Sequence, residues 1–164
     1  MSARAPTEWF DKPGPRAGSR DAQKSDEGLR FQCTLCGNCC TGAEGYVGFT
    51  DDEARAIAER LGLTERDFRE KYTRSTPHGQ SLTEKPTTFG LDCVFLDREK
   101  IPGKAVCGIY EVRPAQCRSW PFWRSVVSTE HAWRRASVGC PGIDRGPKVI
   151  PPEEIRIHRA TVPM

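Results

Sequence analysis

No run of 18 apolar residues occurs in the sequence, so no helical membrane span is expected. Its opening stretch, "MSARAPTEWF", lacks the apolar core of a secretion signal. Histidine is scarce: His78, His131 and His158 are the only three, and their spacing is not that of metal ligands. A glycine-rich nucleotide or S-adenosylmethionine loop is also missing. "GNCCTGAEGYVG" has glycines, but the cysteine run explains them. No repeat of solenoid period is present. These absences argue against a helical membrane protein, a histidine-rich zinc site and a nucleotide-loop enzyme. They also set the expected compartment as cytoplasmic, where thiols stay reduced.

Cysteine is what the chain has in excess. Eight lie at Cys33, Cys36, Cys39, Cys40, Cys93, Cys107, Cys117 and Cys140. Gly and Pro number 15 and 13 in 164 residues, which points to one loop-rich domain with a thin core. Clustered cysteines in a reducing compartment read as metal ligands rather than disulfides.

The formal charge of +3 counts every cysteine as neutral, whereas metal-bound cysteines are thiolates. The basic balance is therefore no argument for nucleic acid. From residue 113 to 164 there are nine Lys/Arg against four Asp/Glu. That surplus is either a solvated face or a counterweight to anionic metal–thiolate centres.

Three regions are expected. Residues 1–27 are polar, broken by "DKPGPRAGSR", and read as a flexible arm whose Trp9 and Phe10 could dock. Residues 28–150 form the cysteine-cluster domain, and 151–164 a tail or short helix. "TDDEARAIAERLG" predicts a helix, with Thr50 and Glu53 as a capping box and Gly62 as the stop. "TERDFREKY" predicts a second. Residues 73–86 read as a polar loop. "TTFGLDCVFLD" and "KAVCGIY" read as two strands around "REKIPG". "VRPAQCRSW" is one helical turn, and "PFWRSVVSTEHAWRRASV" an apolar strand pair. "GCPG" presents Cys140 on a turn. "PPEEIRIHRATV" predicts a last helix, with Glu153 and Glu154 suited to its N-terminal dipole. The fold class is α+β: a small, irregular, metal-stapled domain with short helices and a small antiparallel sheet.

The chemistry centres on "FQCTLCGNCCTG", residues 31–42. Cys-x2-Cys folds two sulfurs inward within a tight turn, and here the spacing occurs twice in succession. A three-cysteine run resembles the iron–sulfur run of bacterial ferredoxins. Structural zinc is the competitor, but it usually draws on two Cys-x2-Cys pairs, and the second half supplies none. Thiolate-only ligation suits both metals. The run and the absence of histidine ligands favour iron–sulfur over zinc. Neighbouring side chains diverge in strands and helices, so Cys39 and Cys40 are expected to serve two centres or to bridge them. One four-cysteine site plus four inert thiols is the simpler alternative. Arg113 and Arg118 flank Cys117 and are expected to bond thiolates or to pair with acids such as Glu111. Asp92 and Glu111 read as ordinary ion-pair partners. Trp120, Phe122, Trp123 and Trp133 read as core, or as a water shield for a cluster.

"CTLCGNCCTG", "CVFLD", "CGIYEVRPAQCRSWPFW" and "GCPG" together resemble the bacterial YkgJ-type cysteine-cluster family, also called the CxxCxxCC domain. The likeness runs from about Phe31 to Gly142. It implies zinc or iron chelation, with all eight cysteines as ligands. Some longer relatives are flagellin lysine N-methylases, so the alternatives are a zinc-only structural module or a protein-modifying enzyme. Metal ions are the expected partners; no protein partner, membrane or nucleic acid is indicated.

Overall fold

The computed structural model describes residues 7–12 and 27–162. The expected arm, residues 1–27, therefore falls largely outside the described residues. Among these there are six α-helices and four two-stranded antiparallel sheets, which is a small α+β architecture. The described residues divide into two compact units, one Leu35–Trp120 and one drawn from within Met1–Thr34 and Pro121–Met164.

The Leu35–Trp120 unit begins with the 36–40 cysteine turn and continues into α1 (Asp51–Leu61) and α2 (Glu65–Tyr72). Both start as their sequences dictate. The Thr50 hydroxyl accepts from Glu53 N while Glu53 Oε2 accepts from Thr50 N, and the Thr64 hydroxyl accepts from Asp67 N. Gly62 closes α1 in the left-handed conformation. Ala54, Ile57 and Ala58 of α1 pack with Phe68, Leu82, Phe95 and Ile109 in one buried cluster.

Three hairpins follow: β2 (Thr73–Thr76) with β3 (Gly79–Leu82), β4 (Glu84–Thr87) with β5 (Gly90–Cys93), and β6 (Leu96–Asp97) with β7 (Val106–Cys107). The expected loop at 73–86 is thus mostly strand. Its residues are polar because β2 to β4 are largely exposed or half-buried, which removes the apolar alternation. The turns themselves are specified. In Thr76-Pro-His-Gly79 and Thr87-Thr-Phe-Gly90, the first hydroxyl accepts the N–H two residues on and donates to the glycine carbonyl. The short helix α3 (Ala115–Arg118) ends the unit.

In the second unit, β1 (Leu29–Arg30) pairs with β8 (Val149–Ile150), and Phe31 bridges Ile143. The "PFWRSVV…" stretch is helical, not a strand pair: it forms α4 (Arg124–Val127) and α5 (Glu130–Gly139). The Thr129 hydroxyl caps α5 through Ala132 N, and Glu130 pairs with Arg134 one turn on at 2.6 Å. The last helix, α6 (Pro152–Thr161), forms as expected, with Glu153 and Glu154 in its first turn. Phe122 stacks on Trp133 (5.9 Å) and His158 (5.5 Å), and Trp9 lies 6.3 Å from Trp133. Trp9 Nε1 donates to Val127 O at 2.8 Å and Phe10 is fully buried, so this part of the N-terminal segment does dock. Arg156 secures it through Glu8 and Asp11.

Candidate metal centre

Six of the eight cysteines, Cys36, Cys39, Cys40, Cys93, Cys107 and Cys117, belong to the Leu35–Trp120 unit; Cys33 and Cys140 belong to the other. The 36–40 turn is shaped by two left-handed residues around Cys36: Leu35 (φ 57°) and Gly37 (φ 78°). For a leucine this conformation costs roughly 1–2 kcal/mol. Such a residue persists where its surroundings over-determine it. Leu35 O accepts from Ala105 N (2.7 Å), and a Cβ on Gly37 would lie 2.7 Å from that of Ala105. A 3-10 turn, Asn38–Cys40, then carries the adjacent pair.

The pair does not diverge. Cys39 Sγ and Cys40 Sγ lie 3.5 Å apart. The tight turn gathers the two side chains, where regular helix or strand would spread them. Two thiolates on one tetrahedral zinc, at about 2.3 Å each, stand about 3.8 Å apart. The observed spacing is therefore close to that of two ligands of a single ion.

Three further sulfurs arrive on separate elements. Cys93 ends β5 opposite Glu84, and Cys107 ends β7 opposite Leu96. Both pack against the buried cluster of α1 and α2, so the apolar core sets their position. Cys117 rides on α3, which is tied to α1: Glu53 Oε1 accepts from Ala115 N (2.6 Å) and from Arg118 Nη2 (3.3 Å). Gln116 adds a second tie, to Gly48 N and Tyr46 O. Glu53, the acidic member of the α1 capping box, therefore also holds a cysteine-bearing helix, a double role that the motif does not reveal.

Electrostatics links these thiols. A hydrogen bond joins the Cys39 and Cys40 thiols, and their coupling favours ionisation of Cys39 while pushing Cys40 up. Burial raises Cys93 to about 11 and Cys117 to about 12, and it raises Cys107 as well. Negative charge on neighbouring cysteines adds to each rise: Cys107 acts on Cys93, Cys93 on Cys117, and Cys39 on Cys107. Thiols in such a set cannot all ionise together without a cation, which is the donor chemistry a thiophilic metal requires. Among the described residues, no three His, Cys, Asp or Glu side chains already stand as a closed metal shell.

The flanking charges resolve into defined partners. Asp92, 1% exposed, forms a bidentate pair with Arg98 (2.7 and 3.0 Å) and also accepts from Thr41. Arg113 donates to Tyr110 O (2.9 Å) and stacks on its ring. Its charge still favours ionised Cys39, Cys107 and Cys117. Arg118 pairs with Glu53, while Glu111 lies 4.0 Å from Arg60.

In the other unit, the antiparallel Phe31–Ile143 bridge and the Gln32 N to Gly142 O bond (3.0 Å) run Cys33 toward position 141. Cys33 itself is exposed, whereas Cys140 caps α5 and is buried. The aromatic residues Phe122 and Trp133 lie in this unit's core.

A soft, all-thiol donor set on a small α+β scaffold is characteristic of metal-chelating modules. The family model described as "CxxCxxCC: Putative zinc- or iron-chelating domain" matches residues 32–141, and the chain belongs to that family. No solved structure matches it.

Proposed function

We propose that the chain is a metal-binding module in which the six thiols of the Leu35–Trp120 unit hold a thiolate metal centre that staples its hairpins to α1 and α3. The 3.5 Å separation of Cys39 and Cys40 carries this reading. It favours metal ions that each take two neighbouring thiolates, zinc foremost, over a four-iron cluster, whose irons each take one cysteine. An iron–sulfur centre is the second reading, supported by the all-thiol donor set and the ferredoxin-like run. Cys33 and Cys140, both in the other unit, are the remaining candidate donors. The role is structural: binding free energy becomes folding free energy. Bound metal would keep every thiolate ionised and neutralise the repulsion among Cys39, Cys40, Cys93, Cys107 and Cys117. Elemental and sulfide analysis of protein purified without oxygen tests both readings. Stoichiometric zinc without sulfide is expected. Iron with equimolar sulfide would select the second reading, and no metal at all would remove both.

A further inference from the structure

Arg98 stands out beside this centre. Both oxygens of buried Asp92 are committed, Oδ2 to Arg98 Nε and Oδ1 to Arg98 Nη2 and the Thr41 hydroxyl. A bidentate fork fixes the plane of a guanidinium, which a lysine could not reproduce. Phe89 lies 4.1 Å under its Cζ. The hairpin that carries Phe89 is itself pinned to the cysteine segment. Leu91 N donates to Gly42 O (2.8 Å), and a Cβ on Gly90 would lie 2.6 Å from that same oxygen. The remaining nitrogen, Nη1, makes no hydrogen bond within the described residues. It sits against the cysteine turn, 3.3 Å from where a Cβ on Gly37 would stand. The cation is thus immobilised on the turn that carries Cys36, Cys39 and Cys40.

We propose that Arg98, oriented by Asp92, is a positioning residue whose fixed charge bears on the 36–40 turn and strengthens metal capture there. This rests on the metal-centre reading. Four thiolates on a dication leave net negative charge, and a cation fixed beside them offsets it without reorganisation. Outer partners of metal ligands typically contribute about 10–100-fold in affinity.

The test titrates the full chain with cobalt(II) against a chelator of known affinity and records the thiolate-to-cobalt charge-transfer band. Arg98→Met is expected to lose about 10–100-fold in cobalt affinity and to shift the band. Arg98→Lys, which restores charge without the fork, is expected to recover part of the loss. Arg98→Met binding like wild type, or Arg98→Lys losing as much as Arg98→Met, would overturn the proposal. If Arg98→Met does not fold, Arg98→Gln takes its place; failure of both to fold would make Arg98 a structural clamp only and also overturn it. Wild-type protein that takes up cobalt with no thiolate band would instead remove the metal-centre reading itself.

Discussion

The two units solve the same problem by different means. The unit built from the chain ends closes around aromatic carbon: Trp133, Phe122 and Phe10 are buried, and Arg156 and Arg159 tie Glu8 and Asp11 onto α6. In Leu35–Trp120 the strands are short and polar, and the apolar cluster rests mainly on α1 and α2. Leu35–Trp120 has its own aromatic set, with Phe49, Phe68, Tyr72 and Phe95 in successive ring contact, but it also carries six thiols. On the proposed reading a bound ion completes this unit, whereas the other closes on aromatic carbon and ion pairs.

Chelation should break this comparison most visibly. Zinc contributes about 10–16 kcal/mol in small metal-dependent folds at neutral pH. Removing it should expose amides of β4, β5 and α3 to hydrogen exchange while those of α5 stay protected. Uniform loss of protection would mean that one unit cannot stand without the other.

Trp133→Ala should do the reverse. It should cost about 3–5 kcal/mol in thermal or denaturant unfolding, since large aromatic truncations leave cavities. Metal stoichiometry of the folded fraction should not change.

Glu53→Ala sharpens the comparison within Leu35–Trp120. It removes the α1 capping box and orphans Ala115 N, for about 1–3 kcal/mol. Because α3 carries Cys117, metal affinity should fall with it. Thr50→Ala, which touches only the cap, should cost about 1 kcal/mol and leave affinity alone.

The last effect is one of pH. Folding raises Cys93 to about 11 and Cys117 to about 12 from their ordinary 9.0, so the folded metal-free chain holds protons that the unfolded chain has lost. Its stability should be full below pH 9 and fall as pH rises from 9 toward 12. The metal-loaded chain, its thiolates already ionised, should lack that decline. Melting curves of both forms across this range check the sign.

Much of this contrast was legible in the residues. Thr50, Glu53 and Gly62 bound α1, and the eight cysteines and family motif marked the chelating chemistry. What escaped has physical causes. Only Ser81 and Leu82 of β2–β4 are buried, and they are neighbours, so no alternation betrayed these strands; the repeated Thr-x-x-Gly turn was the available signal. Val126, Val127 and the aromatic residues before them resembled strand, but the Thr129 cap and the Glu130–Arg134 pair decide for helix. Cys39 and Cys40 were expected to part because regular backbone would part them, and the 3-10 turn does not. Asp92 and Arg98 meet across the β5–β6 connection, a contact that no spacing rule predicts.

The most direct test is metal and sulfide content per chain in protein purified without oxygen, comparing wild type with Cys117→Ser and Cys140→Ser. The account predicts stoichiometric zinc in wild type, loss of metal from the Leu35–Trp120 centre with Cys117→Ser, and retention of that centre with Cys140→Ser. Wild-type metal content that Cys117→Ser leaves unchanged would contradict it.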